Sequence, residues 1–343
     1  MTPGMRYVAL SGALALLVIP VLANAVQTGK QPHDPAPAAK TMDKAQLAFQ
    51  RDLVSVLALR ADAMPLLGAA LLARPLFNQP PSTSFHALIE RAAEAKGADA
   101  AVNWVSLADC DAKADACPNR SALEVLQTQA PDNAAVWLLK LGDDARNIKK
   151  VEARNDLAKA ADASLYDDYT GTSLKALANS VGVLPPAADT FDASRKGGAV
   201  GMQAVLVYGL ASTQPQPSLP IIAKLCENAG DDLSIKADCL KLAKVLEWGS
   251  SPLSRSLGLH LREVLSNDTA QQQQAKDGRR NLIWQVQNFG ALLAKAQDDP
   301  TLAQHLLALA RHGGTEMSLQ LAALRDNNIP VEPPADWQPA PAD

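Results

Sequence analysis

Aromatic side chains are scarce in this sequence. Phe, Trp and Tyr supply only 4% of 343 residues, although 48% of the chain is hydrophobic. The apolar mass is therefore mostly Ala and Leu, the strongest helix formers. β-branched and aromatic residues, which strands favour, are thin. This balance argues against a β-rich fold and predicts an all-α one, either a helical-hairpin array or a multi-helix bundle. Clustered positive charge is missing as well. The formal net charge is −4, and Lys149-Lys150 and Arg279-Arg280 are only pairs, so no nucleic-acid footprint is expected.

Several chemical signatures are also absent. There is no G-x-S-x-G, no S-x-x-K and no H-E-x-x-H. Gly197-Gly198-Ala-Val-Gly201 has the wrong steps for a phosphate loop and lacks the Lys-Ser/Thr sequel. No two of the five histidines stand at the i, i+4 spacing of a helical metal pair. No cofactor and no metal are expected on this basis. Carboxylate catalysis leaves no such trace, because it depends on geometry rather than spacing, and 36 Asp and Glu residues are spread along the chain.

What is present begins with an apolar run from Val8 to Leu22, preceded by Arg6 and closed by Ala23-Asn24-Ala25. A charged start, an apolar middle and small residues at the end are the plan of a cleavable export signal. A spanning helix needs about 20 apolar residues, and this run is shorter and contains Pro20. Residues 1–25 are thus expected to be a signal peptide, with translation starting at Met1 or Met5. Membrane contact is expected only through this segment before cleavage, and the mature chain is expected in the periplasm or secreted. The Pro-, Ala- and Gln-rich stretch that follows, 26–40, reads as a disordered spacer.

Export makes the four cysteines readable as disulfides. Of the three pairings possible, Cys110–Cys117 and Cys226–Cys239 are chosen because each pair is close in sequence and sits between two predicted helices. The spacings do not fit the short C-x2-C steps of zinc sites.

Apolar spacing predicts helices near 41–61, 65–74, 84–96, 99–108, 121–129, 133–141, 152–161 and 166–180. Pro185-Pro186 then marks a break between an N-terminal helical domain (41–184) and a C-terminal one (187–328). In the second half helices are predicted near 198–211, 219–228, 233–247, 252–266, 277–295, 301–311 and 316–326. Ser121-Ala-Leu-Glu124 has the spacing of a capping box. Residues 329–343 carry five prolines and read as an extended tail, with Trp337 either docked on the body or loose.

Residues 97–130 align with 131–164 at a shift of 34. Asp99-Ala-Ala-Val102 falls on Asn133-Ala-Ala-Val136, Leu107 on Leu141, Asp109 on Asp143, Arg120 on Arg154 and Leu123 on Leu157. This period resembles the tetratricopeptide repeat, a two-helix unit of 34 residues. Pro131-Asp132-Asn133 is similar to the junction between its units, Trp137 stands at its first-helix aromatic, and Ala153 and Ala160 lie near its small positions. Leu141 stands where the family prefers Gly, and Asp144 where it prefers a large aromatic. In the preceding unit Asn103, not Trp104, aligns with Trp137. The resemblance covers about 70 residues and implies a helical surface that receives a protein or peptide.

The densest local cluster is Tyr166-Asp167-Asp168-Tyr169, which holds two of the four tyrosines. With Trp137 these residues are a candidate ligand groove, since aromatics offer contact area with a polar tip. A helix start, with a carboxylate near the positive end of the dipole, accounts for the same residues without a ligand. The leading expectation is an exported, non-catalytic helical protein that binds a protein or peptide partner. The alternatives are a hydrolase or lyase of an envelope polymer with dispersed catalytic carboxylates, and a structural envelope protein.

Overall fold

A computed structural model of the chain describes residues 37–110, 118–230 and 232–339. The expected signal peptide, most of the spacer and Cys117 lie outside them, and so does the Cys110–Cys117 pairing. The described residues are all-helical. They form α1 (Pro37–Leu57), α2 (Ala63–Ala73), α3 (Phe85–Glu94), α4 (Ala100–Ser106), α5 (Arg120–Gln129), α6 (Ala134–Arg146), α7 (Lys150–Asp162) and α8 (Thr170–Ser180). The second half contributes α9 (Gly198–Ala211), α10 (Leu219–Glu227), α11 (Leu233–Glu247), α12 (Pro252–Leu265), α13 (Thr269–Lys295), α14 (Pro300–His312) and α15 (Glu316–Asp326). None of these helices is long and apolar enough to cross a membrane.

Short polar side chains set most of the helix starts. Asp99, Asn133, Asp232, Asp268 and Asp299 each accept a hydrogen bond from a backbone N–H of the first turn, which satisfies a donor the helix itself leaves unpaired. Ser84 caps α3 in the same way, as its sequence suggests. The capping box at Ser121 does not form, because Asn119 takes the cap and accepts from Ala122 N–H at 3.2 Å. α13 begins at Thr269 and carries the glutamine run within it. α8 begins at Thr170, not at Tyr166, because Tyr169 adopts left-handed backbone geometry (φ 54°) and breaks the helical path.

Helices pair with their chain neighbours: α2 with α3, α4 with α5, α6 with α7, and α11 with α12. The α4–α5 and α6–α7 hairpins occupy the two stretches that align at the 34-residue shift. Chain returns fix the ends of two hairpins, since Ala63 N–H donates to Lys96 O and Ala134 N–H donates to Leu165 O. Further contacts, most of them between helices distant in the chain, then close the molecule. α7 lies on α11 and α12 on α13, while α8 packs against α2, α9 and α14. One apolar core joins α1, α2, α3, α8, α9 and α14. A second joins α4 to α7 with α10, α11 and α12. Both cores take residues from each side of Pro185-Pro186.

Cys226 and Cys239 form a disulfide between α10 and α11, with Cα atoms 5.7 Å apart. Such a bond is what an oxidising compartment permits. The tail folds back after α15. Trp337 stacks edge-on against Trp284 of α13, with ring centroids 5.3 Å apart.

Candidate functional site

Four loops meet where the Tyr166–Tyr169 cluster lies: 163–169, 213–218, 248–251 and 313–316. Backbone bonds tie three of them in series. Ser250 N–H donates to Tyr166 O at 3.0 Å, and Met317 N–H donates to Ser250 O at 2.9 Å. The start of α8 touches the start of α15 so closely that a Cβ added at Gly171 would lie 1.8 Å from Gly314 O. Gly171 is thus required by close approach.

Asn133 organises one side of the junction. Its Oδ1 accepts from Asp167 N–H at 2.9 Å, and its Nδ2 donates to Asp167 O at 2.8 Å and to Tyr169 Oη at 3.3 Å. Tyr169 in turn packs on Trp104, with ring centroids 5.6 Å apart. Asp168 occupies the centre and is fully buried. Its Oδ1 accepts from Thr170 N–H and from Ser250 Oγ, each at 3.2 Å. Its Oδ2 accepts from Gln216 Nε2 at 3.1 Å. These donors compensate the carboxylate for the water it has lost.

Glu316 faces the same centre. The residue as a whole is half-buried, and its carboxyl is enclosed. Burial first, and then the charge of Asp168, pushes its pKa up to about 8; a bond from Gln320 opposes the shift. Burial also raises Asp167, with a smaller push from Asp168. The Tyr166 hydroxyl is held well above its ordinary value by burial and by the charges of Asp168 and Asp167. The junction is therefore a proton-retaining cluster, with Glu316 neutral at pH 7 beside an engaged Asp168.

Among the five residues expected to form a groove, the junction gathers Tyr166, Asp167, Asp168 and Tyr169. Tyr166 and Asp168 point inward, at 3% and 0% exposure. Trp137 stands one turn beyond Asn133 on α6 and is 8% exposed. Its Nε1–H donates to Pro131 O at 2.7 Å, and Lys159 Nζ lies 4.2 Å from its ring centroid. Glu316, Ser250 and Gln216 belong to the site but carry no mark in the sequence, because they reach it from separate parts of the chain; Asn133 is marked only as part of the repeat junction.

A second buried charge group lies between α6 and α7. Asp144 stands where the repeat family prefers an aromatic, and Lys140 bridges it to Asp156. Burial raises Asp156 to about 6 despite the opposing attraction of Lys140.

Cavities open to the surface among the described residues include the following. One of about 400 Å³ lies between α1 and α9 and is lined by Gln46, Gln50, Phe191, Met202 and Leu206. The other, of about 370 Å³, is lined by Arg74, Leu139, Arg146 and Gln216. Gln216 thus separates this cavity from Asp168. Among the described residues no cluster of His, Cys, Asp and Glu could hold a metal ion.

Fold and site together define an all-α protein of packed helical hairpins with an acidic loop junction inside. No family model matches the chain, and no curated protein or solved structure matches it either.

Proposed function

We propose that this is an exported, non-catalytic helical protein that binds a protein or peptide partner on the outer edge of its hairpins. The carrying observation is an apolar rim where two distant helices begin together. Arg154 of α7 pairs with Asp238 of α11 at 2.7 Å, and Lys241 of α11 pairs with Asp162 of α7 at 2.9 Å. The two helices therefore run parallel, and their first turns lie side by side. Val151 and Leu233 stand at those first turns, and Ile148 in the turn that leads into α7; they keep 70%, 79% and 78% of their surface exposed. Grouped aliphatic side chains left in water favour a partner that covers them. The disulfide and the expected signal peptide support a place outside the cytoplasm.

Val151→Glu combined with Leu233→Glu tests this reading. Both positions are solvated, so folding should be unaffected, while capture of a partner from envelope extract should fall by about tenfold or more. Equal recovery by wild type and variant would remove the rim from the account.

A second reading, hydrolysis or elimination on an envelope polymer, draws support from the raised Glu316 carboxyl beside Asp168. Such pairs serve acid–base chemistry when a substrate reaches them. Against it, Asp168 has no exposed surface and both of its oxygens are bonded. The supports for the first reading are stronger.

A further inference from the structure

The way α13 holds the tail has a direction to it: donors lie on the helix and acceptors on the tail. Trp284 Nε1–H donates to Pro330 O at 2.8 Å, and Gln285 Nε2 donates to Val331 O at 2.8 Å. Arg280 donates through Nη2 to Pro334 O and to Ala335 O, the latter at 3.1 Å, and through Nε to Trp337 O at 3.0 Å. Every acceptor among these bonds is a backbone carbonyl. Arg280 and Trp284 stand at i and i+4 and so share one face of α13. Trp337 completes the contact, with its ring edge-on to Trp284 and 5.9 Å from the Arg280 guanidinium.

A surface that offers side-chain donors to main-chain carbonyls suits proline-rich chain. Proline has a carbonyl but no N–H, so a ligand rich in it brings fewer donors that need a partner here. Its restricted φ also narrows the conformations open to the free segment, which lowers the entropy lost on docking, and the docked tail turns at its end, where Trp337 N–H donates to Pro334 O at 3.1 Å. Because carbonyls are common to all residues, these bonds accept any sequence of that shape, and the aromatic at the far end supplies the selectivity. Aromatic platforms with carbonyl-directed donors are a general means of reading such peptides.

We propose that the Arg280–Trp284–Gln285 face of α13 is a binding site for proline-rich peptides that turn into an aromatic residue. The chain's own residues 330–337 are its resident occupant. A proline-rich segment of a partner protein enters by displacing them. The tail is tethered to α15 and competes at high local concentration, so the apparent affinity for an outside peptide scales with the fraction of molecules whose tail is undocked. This site is separate from the α7–α11 rim and stands whether or not the rim meets a partner.

The test uses the full chain and a fluorescently labelled peptide with the sequence of residues 330–337, read by anisotropy. Trp337→Ala weakens the resident tail and should tighten peptide binding by about tenfold relative to wild type. Adding Arg280→Gln or, separately, Trp284→Phe to Trp337→Ala should reverse that gain. The second variant keeps a ring but removes the N–H, and unchanged circular dichroism verifies its fold. A peptide with alanine at all three proline positions should bind more weakly still. Absence of saturable binding to Trp337→Ala, or binding that neither added substitution weakens, would overturn the proposal. So would a wild-type dimer that Trp337→Ala dissociates with no peptide binding, since the site would then serve a second copy of the chain.

Discussion

Glu316 is the residue whose chemistry departs furthest from the ordinary. Its carboxyl titrates at about 8 in the folded chain, raised by burial and by Asp168, against a reference near 4.5. Between those values the folded protein keeps a proton that the unfolded chain gives up. Stability must therefore fall as pH rises from about 4.5 to about 8 and level off above that. Glu316→Gln keeps the shape of the neutral acid and removes the titration. Urea midpoints at pH 5 and pH 8 should differ clearly in wild type and much less in the variant, and the variant should be the more stable protein at pH 8. A wild-type slope that survives undiminished in Glu316→Gln would assign the effect to another group. Lys140, Asp144 and Asp156 form the other internal charge group. Asp156 titrates near 6, so it adds a slope that Glu316→Gln leaves in place.

At the scale of elements, the junction depends on the starts of α8 and α15 meeting without a side chain between them. Gly171→Ala would drive a Cβ into Gly314 O. The obstacle is backbone rather than a movable side chain, so the loss should be about 2 kcal/mol or more, measured by urea unfolding. A loss under about 0.5 kcal/mol would mean that the two starts can separate freely. Most helices were legible in the sequence for physical reasons. Leu233–Glu247 and Glu316–Asp326 start and stop where apolar spacing puts them, because an amphipathic repeat between polar breaks leaves the backbone one good option. Misplaced starts have equally local causes. Asn119 displaced Ser121 as a cap, and the left-handed Tyr169 delayed α8 by four residues. The Cys226–Cys239 pairing could be read because a short loop brings the two thiols close; its closure stabilises the α10–α11 turn by about 3 kcal/mol in the chain-entropy model.

The whole molecule is where sequence reading stopped. Nothing in local spacing says that α7 lies along α11, or that α8 is covered by α2, α9 and α14. Such contacts arise from apolar faces that are chemically alike, Ala and Leu on nearly every helix, so composition cannot rank one partner above another. The candidate groove suffered the same ambiguity: Tyr166 and Asp168 could be seen as a cluster, but whether they faced water or Glu316 depended on Ser250, 82 residues away, and on the still more distant start of α15. The docked tail was equally undecided until Trp284 and Arg280 were placed beside it. The aligned starts of α7 and α11, with Ile148, Val151 and Leu233 left in water, exist only in the assembled molecule, and the proposed function rests on them. Photo-crosslinking from position 233 of the full chain, in cells that export it, tests that function most directly, with position 244 on the same helix as control. The account predicts a discrete protein adduct from 233 that Val151→Glu removes and that 244 does not yield; equal or absent adducts at the two positions would contradict it.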